Sequence, residues 1–565
     1  MNNEQQASHH GWDLLAGLLV FGLIAFLAES SRELIAPLTT LEVSPVSLDP
    51  AHLPGYAART TFRMFAALAL SLLFTFTYAT LAAKSRRAEL LLVPLLDILQ
   101  SVPILGFISV TIVFFMSLAP GRVLGAEFAA IFAIFTSQAW NMAFSFYQSL
   151  RTVPAELSEA AASFRLSRWM RFWRVDVPFA MPQLVWNMMM SMSGGWFFVV
   201  ASEAISVGDT RVTLPGIGSY IALAIDHRDL GAVGWAVGTM FVVILLYDQL
   251  FFRPLVAWTE RFRFEQEAGV TPAKSWVLGI LQRSPTAVAL AGSLGRLWRQ
   301  TYRVTAMRPR EMRTRGNSRW ADFAWNACVF VAAALAVWQV GRFVLSGVSL
   351  AEVGHALLLG CITLTRIVVL IAAATLIWVP VGVWIGMRPN VARLAQPIAQ
   401  FLAAFPANLL FPFFVSAIVV LRLHPDIWLS PLMIMGTQWY ILFNVIAGAS
   451  AMPSDLRYAS ANLGVGGWLW WRRIGLPAVF PYYLTGAITA SGGSWNAAIV
   501  AEVATWGHTR LEAHGIGAYI ARATEDARFH QVVLGIAVMS VFVVAINRLF
   551  WRPLYQYAER RFRLA

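Results

Sequence analysis

The sequence has 565 residues, of which 58% are hydrophobic and only 13% are charged, and its formal net charge is +13. Soluble globular proteins are typically about 45–50% apolar and about 25% charged, so the composition indicates a membrane protein with several spans and excludes a soluble enzyme and a disordered or fibrous chain. The positive charge is concentrated between residues 253 and 319, in a stretch that separates two apolar halves, and this placement favours the cytoplasmic membrane face over nucleic-acid binding.

Twelve apolar stretches are long enough to cross a bilayer, since a spanning helix needs about 20 mostly apolar residues. They lie near 13–30, 59–83, 89–118, 126–150, 182–206 and 231–255 in the first half, and near 322–346, 360–387, 392–421, 427–450, 481–505 and 531–555 in the second. No Lys or Arg precedes the first stretch and no Ala-x-Ala cleavage site follows it, which favours an uncleaved anchor over a signal peptide. The sequence therefore predicts an all-α polytopic membrane protein with about twelve transmembrane helices.

Basic residues between these stretches predict the orientation of the chain, since Lys and Arg accumulate on the cytoplasmic side. They follow the second, fourth and last stretches: Lys84, Arg86, Arg87, Arg151, Arg165, Arg168, Arg171, Arg174, Arg552, Arg560, Arg561 and Arg563. All of them fall on one side if both termini and the central basic segment are cytoplasmic. The loop Ile35–Tyr56 then faces outward.

The two halves of the chain repeat each other in register. Thr60 and Arg63 recur 303 positions later as Thr363 and Arg366, and from Trp140 onward the offset is 299. The second offset relates the pairs Pro154/Pro453, Pro178/Pro477, Trp196/Trp495 and Glu203/Glu502. Each predicted unit has an even number of spans, so both copies insert the same way up as parallel repeats, and a pathway for a solute is expected between them.

The loop between the fourth and fifth predicted spans carries the strongest local pattern. In the first half it reads Glu159-Ala160-Ala161, three residues, Arg165, nine residues, Val175-Asp176-Val177-Pro178. In the second it reads Tyr458-Ala459-Ser460, three residues, Gly464, nine residues, Ile474-Gly475-Leu476-Pro477. The spacing predicts a helix–turn–helix of about 20 residues, whose small side chains let a partner approach closely and whose proline marks the start of the next span.

This pattern resembles the EAA loop of ABC-importer permeases (EAA, three residues, G, nine residues, IxLP). Ser193–Glu203 and Gly216–Tyr220, with their second copies, are similar to permeases of the nitrate/taurine/sulfonate class, and the likeness covers roughly 59–264 and 360–564. The resemblance implies the type I ABC importer permease (MetI-like) fold, as two parallel six-helix repeats in one chain in a bacterial inner (plasma) membrane. Arg165 stands where the family has glycine, and Tyr458 and Ser460 stand where it has Glu and Ala. We therefore expect the two loops to be non-equivalent in coupling to the ATPase.

With this resemblance the chain divides into five segments. They are an N-terminal anchor helix and outer loop (1–58), a first permease domain (59–264), a basic cytoplasmic linker (265–320), an extra helix of the second half (321–359) and a second permease domain (360–565). In the linker, Trp276–Leu281 and Leu294–Trp298 are expected either as short amphipathic helices at the membrane surface or as part of a loosely ordered tether.

The resemblance also implies the partners: two cytoplasmic ABC ATPase subunits or domains, an extracytoplasmic solute-binding protein and the lipid bilayer. ATP and Mg would be bound by the partner ATPase, because this chain lacks the phosphate-binding pattern GxxxxGK[ST] and is not expected to be an enzyme or to bind a cofactor. Its Cys and His residues show no metal-ligand spacing.

The residues implied to contact the ATPase are Glu159, Ala160, Ala161, Arg165, Pro178, Tyr458, Ala459, Gly464 and Pro477. The class implies import of a small oxyanion such as nitrate, taurine or another sulfonate, or bicarbonate.

Polar residues and prolines within the spans are the candidates for a pathway or gate, since ionisable groups are costly in a membrane and prolines free backbone carbonyls. They are Asp97, Gln100, Pro103, Gln400, Pro406, Glu203 and Glu502. For Glu203 and Glu502 an alternative stays open, in which they cap a helix or pair with Arg at the outer interface.

A secondary carrier of the major facilitator type is the alternative from another class, because it also has two parallel six-span halves. Such a carrier has no need of a proline-closed helical hairpin in both halves. Its usual GxxxDRxGRR pattern is also missing between the second and third spans, where the chain reads Ala83-Lys84-Ser85-Arg86-Arg87. The loops therefore favour the ABC importer.

Overall fold

The computed structural model describes residues 46–100, 104–207, 210–262, 275–305 and 319–562, with the single positions Leu15, Gly17 and Gly22. Apart from these three positions, the predicted anchor near 13–30 lies outside the described residues. The described chain is almost entirely helical, with two short β-hairpins. The prediction that the chain is mostly helical is therefore confirmed.

The first half begins with a 3₁₀ turn at Pro50–His52, and its helices and strands follow in the order of the chain. They are α1 (Leu53–Lys84), α2 (Arg86–Leu99), α3 (Ile104–Leu118), α4 (Val123–Arg151), α5 (Ala155–Ser163), α6 (Arg168–Arg171), α7 (Val177–Glu203), β1 (Ala204–Val207), β2 (Thr210–Thr213), α8 (Ile217–Asp226), α9 (Leu230–Tyr247) and α10 (Arg253–Thr259). π-helical turns at Phe172–Asp176 and Asp248–Phe252 join α6 to α7 and α9 to α10, and a 3₁₀ turn at Glu260–Phe262 follows α10.

The linker and the second half continue the chain with the same succession of elements. They are α11 (Trp276–Arg283), α12 (Pro285–Thr305), α13 (Arg319–Gly347), α14 (Leu350–Gly386), α15 (Pro389–Ala404), α16 (Phe411–Val420), α17 (Pro425–Trp428), α18 (Gln438–Ser450), α19 (Ser454–Asn462), α20 (Gly467–Trp470), α21 (Leu476–Ala501), β3 (Val503–Trp506), β4 (Thr509–Glu512), α22 (Ile516–Glu525), α23 (Phe529–Ile546) and α24 (Arg552–Phe562). 3₁₀ turns lie at Ala407–Leu410 and Ser430–Met433, and π-helical turns lie at Trp471–Gly475 and Asn547–Trp551.

Among the described residues, seven helices are long and apolar enough to cross a membrane, or nine if each of two bent pairs counts as one span. The bent pairs are Pro389–Ala404 with Ala407–Val420, at 79°, and Pro425–Met433 with Gln438–Ser450, at 43°. The predictions of single helices at 392–421 and 427–450 were therefore wrong. In the stretch predicted at 89–118, α2 and α3 are helical and residues 101–103 between them lie outside the described residues. At the first bend Pro406 has no backbone N–H, and the extended residue before it ends the helix. The total of twelve helices stays a prediction.

The helices predicted at 182–206 and 481–505 both end earlier in the structure, and of the two only the first is among the seven candidate spans of the described residues. The first is a continuous helix from Arg168 to Glu203, and both are followed by a hairpin in place of further helix. In the first hairpin Ala204 pairs with Thr213 and Val207 with Thr210, and in the second Val503 pairs with Glu512 and Trp506 with Thr509. The hydropathy of these strands resembles that of a span end, but their β-branched residues favour an extended chain.

The same packing recurs in both halves. α4 lies between α1 and α7, and α18 lies between α14 and α21. Trp196 and Trp495 are both 1% exposed and occupy equivalent places in the two cores. Phe198 of the first half packs into the second core and Leu409 of the second half into the first, so the halves interlock.

The structure shows where helices begin near the predicted domain boundaries and within the linker. α14 begins at Leu350, where the Ser349 hydroxyl accepts a hydrogen bond from the backbone N–H of Glu352 at 3.2 Å. The predicted domain boundaries at 59 and 360 each fall inside a helix, and the division of the chain into domains stays a prediction. Both linker stretches are helical, as α11 and α12, so the loosely ordered alternative does not hold for them.

Candidate functional site

A cavity of about 680 Å³ lies between the two halves. α7 contributes positions from Gln183 to Phe198, and α21 contributes the equivalent positions from Tyr482 to Ala497. Its polar lining consists of hydroxyl and amide side chains, among them Thr136, Ser137, Asn141, Asn187, Ser193, Thr437, Asn444, Thr485, Thr489 and Asn496. None of the described residues that line it carries a formal charge, so a solute would meet neutral hydrogen-bonding groups here.

Aromatic rings form much of the rest of the wall. They include Trp140, Trp186, Phe197, Phe198, Phe405, Phe411, Tyr440, Phe443, Tyr482, Trp495 and Trp551. The rings of Trp186 and Phe443 stack across the two halves with centroids 5.7 Å apart. Ser193 and Tyr440 also join the halves, through a hydrogen bond of 3.2 Å between their hydroxyls.

Two asparagine amides of the lining are oriented by hydrogen bonds to neighbouring protein groups. Nδ2 of Asn187 donates to the Ser145 hydroxyl at 2.9 Å and to the backbone carbonyl of Gln183 at 3.1 Å. Nδ2 of Asn444 donates to the carbonyl of Tyr440 at 2.8 Å. The amides are therefore held in place before a solute arrives, which lowers the cost of ordering them around it.

The halves are also joined at the end of the cavity where the hairpins lie. The backbone N–H of Gly507 donates to the carbonyl of Ile225 at 3.0 Å, and Arg228 donates to the Thr509 hydroxyl at 3.4 Å. Asn408 donates from its side chain to the carbonyl of Phe197 at 3.1 Å. These contacts connect the second hairpin and the bent segment after Pro406 to the first half.

The structure distributes the predicted pathway residues over different places. Gln100 lines the cavity. Gln400 is not among its lining residues, but its amide donates to the sulfur of Met189 in the other half at 2.7 Å. Pro406 is buried at the start of a 3₁₀ turn between two lining residues. Pro103 and the side chain of Asp97 lie outside the described residues.

Glu203 belongs to a buried network at the hairpin end of the first half and does not line the cavity. Its carboxylate accepts from Thr60 Oγ1 at 2.7 Å, from Arg63 Nη1 at 2.6 Å and from the backbone N–H of Gly218, in the first turn of α8, at 2.7 Å. Arg63 also donates two hydrogen bonds of 2.6 Å to the carboxylate of Glu127. The geometry agrees with the capping and pairing alternative, and a place for Glu203 beside the pathway stays a prediction.

Glu502 belongs to the equivalent network of the second half, which is more open. Its carboxylate accepts from Thr363 at 2.7 Å and from Arg366 at 3.2 Å. Arg366 also pairs with Asp426 at 2.8 Å, and Asp426 accepts from the backbone N–H of His514 at 2.7 Å. The side chain of Asp426 is 28% exposed, whereas that of its counterpart Glu127 is 9% exposed. A search for identical residues in the two halves misses Glu127 and Asp426, because one is Glu and the other is Asp. Both are acidic and lie 299 positions apart, so a comparison of charge at that offset finds the pair.

We call residues 155–178 the first coupling segment and residues 454–477 the second. Each is a short helix, a turn and a second short helix that continues through a π-helical turn into a long helix. Glu159, Ala160, Tyr458 and Ala459 are exposed, whereas Ala161 and Ser460 are buried, and Pro178 and Pro477 are the second residues of α7 and α21. Phe164 and Leu463 are each 78% exposed at the turns.

Arg165 and Gly464 occupy the same left-handed backbone conformation, with φ of +50° and +64°. A side chain in this region costs about 1–2 kcal/mol, which explains why glycine suits the position.

Arg165→Gly is therefore expected to raise the midpoint of thermal unfolding of the purified chain slightly. Gly464→Arg is expected to lower it by a similar amount, and a stabilising effect of that reverse change would contradict the explanation.

Comparison with known proteins places the chain in a family. The model of the family described as "Binding-protein-dependent transport system inner membrane component" matches residues 76–253 and 378–564, together more than half of the chain. The chain therefore belongs to this family of ABC transport permeases, with two permease domains fused in one multi-pass membrane protein. The two matches agree with the internal repeat.

Curated relatives are similar to single permease domains. The bicarbonate transport system permease protein CmpB of Synechococcus elongatus is 25% identical over 182 residues, 32% of this chain and 59% of the relative. The nitrate import permease protein NrtB of Synechocystis is 25% identical over 186 residues, 33% of this chain and 64% of the relative. The glycine betaine/carnitine transport permease protein GbuB of Listeria monocytogenes is 28% identical over 170 residues, 30% of this chain and 54% of the relative. The matched region thus spans less than two thirds of each relative.

Proposed function

We propose that this chain forms the translocation pathway of an ATP-driven, binding-protein-dependent importer. The observation that carries the proposal is the neutral cavity between two fused permease domains, each of which presents an exposed coupling segment. Two cytoplasmic ABC ATPase subunits or domains would dock on the coupling segments and bind ATP and Mg. Both termini would then be cytoplasmic in a bacterial inner membrane, and the hairpins would face a solute-binding protein outside.

Transport would proceed by alternating access. Closure of the two ATPases would move the coupling segments, and the long helices α7 and α21 continue directly from these segments to the cavity and the hairpins. The contacts of Gly507 with Ile225 and of Arg228 with Thr509 support a state closed at the outer end. They would have to break when the pathway opens to the binding protein.

A small oxyanion is the first candidate solute. The names of the nitrate and bicarbonate relatives support it, as do the hydroxyl groups of the cavity, which can donate hydrogen bonds to oxyanion oxygens. The absence of charge from the described lining suits passage, because a solute must bind weakly enough to leave. Selectivity would then rest largely with the binding protein.

Glycine betaine is a second candidate, and the aromatic lining favours it. A quaternary ammonium group is attracted to the faces of Trp and Tyr rings, and the wall contains several of these within one uncharged cavity. The glycine betaine/carnitine permease relative supports this class as well.

The test is uptake of labelled nitrate, bicarbonate, taurine and glycine betaine into cells that express the chain with its co-purifying partners. We expect uptake of one of these that stops when ATP is depleted and persists when the proton and sodium gradients are collapsed. Uptake that instead follows either gradient and ignores ATP would indicate the secondary carrier and overturn the proposal.

A further inference from the structure

A chain of polar contacts joins the first coupling segment to the end of α1. Arg171 donates to the hydroxyl of Ser158, on α5, at 3.2 Å, and its Nε lies 3.5 Å from the carboxylate of Asp176. The other oxygen of Asp176 accepts from the ammonium of Lys84, the last residue of α1, at 2.7 Å. We call these four residues the first-segment link.

Asp176 is the buried centre of this link. Its side chain is only 3% exposed, whereas those of Lys84 and Arg171 are 42% and 40% exposed. A buried carboxylate is stable only with its partners, because loss of them leaves an uncompensated charge. Asp176 therefore favours arrangements in which the segment and the end of α1 stay together.

The second half replaces all four residues of the link. At the equivalent positions Ser158, Arg171, Asp176 and Lys84 become Arg457, Trp470, Gly475 and Met387. The indole of Trp470 occupies the space over Gly475, where an added Cβ would lie 2.5 Å from its Cζ3. The second segment is thus held by ring packing where the first is held by an ion pair.

We propose that Asp176 is a positioning residue that makes the first coupling segment and α1 move together during transport. The inference rests on the proposed function, since it assumes that a partner ATPase moves the segment. α1 is the helix that carries Arg63 into the network with Glu203, about 32 Å from Lys84 along the helix axis. The link therefore connects the ATPase side of the first half to its hairpin end. In the second half the counterparts of Lys84 and Asp176 are the uncharged residues Met387 and Gly475, which cannot form this ion pair.

The experiment measures uptake and ATP hydrolysis of the purified complex in proteoliposomes. Asp176→Asn is expected to lower the uptake per ATP hydrolysed on the order of fivefold or more, with ATP hydrolysis retained. Asp176→Glu, which keeps the charge, is expected to restore most of the ratio. Asp248→Asn is the matched control: it makes the same chemical change in another ion pair of the first half, with Arg253 at 3.1 Å, where the second half already has Asn547. It is expected to leave the ratio unchanged.

If Asp176→Asn has the same uptake per ATP hydrolysed as the wild type, the inference is overturned. The proposed function would stand in that case, because the wild-type complex would still show ATP-driven uptake. A wild-type chain without an ATPase would instead refute the proposed function.

The link itself is tested on the isolated chain by a double-mutant cycle of Lys84→Met and Asp176→Asn, which measures the midpoint of thermal unfolding. Non-additive shifts are expected, and additive shifts would overturn the link. If Asp176→Asn does not fold, the triple variant K84M/R171W/D176G replaces three of the four link residues by their second-half counterparts. A wild-type ratio of uptake to ATP hydrolysis in that variant would overturn the inference.

Discussion

Arg63→Met is expected to lower the free energy of unfolding by about 3–5 kcal/mol, because it leaves two buried carboxylates without their positive partner. Arg63 is 1% exposed, and its guanidinium pairs with both Glu127 and Glu203. Glu203 in turn accepts the N–H of Gly218 at the start of α8, so the loss extends from the charges to the position of that helix. The measurement is the yield of monodisperse protein in detergent and the midpoint of its thermal unfolding.

Arg366→Met is the matched control in the second half. Its side chain is 12% exposed, and Asp426 keeps the backbone N–H and ring of His514 as partners when the arginine is removed. The carboxylate of Asp426 is also closer to water than that of its counterpart Glu127, which lowers the cost of leaving it charged. A smaller loss of stability is therefore expected, and equal losses in the two variants would contradict this account of the networks.

Replacement of Ala160 and Ala459 together by Trp is expected to reduce ATP-driven uptake on the order of tenfold or more. Both residues are small and exposed on the first helix of their coupling segments, so indole rings there would block close approach of an ATPase without disturbing the core. The purified variant is expected to keep its thermal stability but to lose the co-purifying ATPase. The measurement is uptake together with the ratio of ATPase to chain after purification.

Ala351→Trp provides the control, because Ala351 is also exposed but lies in the first turn of α14, outside the coupling segments. It is expected to retain both uptake and the ATPase. Full uptake by the Ala160→Trp, Ala459→Trp chain would show that the ATPase does not dock on these helices.

The repeat and the coupling segments could be predicted from the sequence because they rest on local spacing. A short helix, a turn and a second short helix need only backbone rules, and the structure has them at the predicted positions. The second short helix continues through a π-helical turn into α7 or α21, so Pro178 and Pro477 lie inside the first turn of these long helices and do not end the segments. The difference between Arg165 and Gly464 was visible in the sequence as a departure from the family pattern, and the left-handed backbone at both positions explains why the family pattern has glycine there.

Features that depend on contacts distant in the chain could not be predicted in the same way. Hydropathy does not distinguish the end of a spanning helix from a short apolar strand, so both hairpins were missed. The bend at Pro406 and the buried partners Glu127 and Asp426 depend on packing between helices far apart in sequence. The cavity is formed by both halves, so single residues such as Gln400 could be assigned to a span but not to its lining.

Purification of the tagged chain from native membranes in mild detergent, with mass spectrometry of the proteins that co-elute, tests the central claim most directly. The account predicts recovery of a P-loop ATPase at two copies per chain, and its loss from the Ala160→Trp, Ala459→Trp variant. A chain that elutes without an ATPase, and whose uptake follows a proton or sodium gradient, would contradict it.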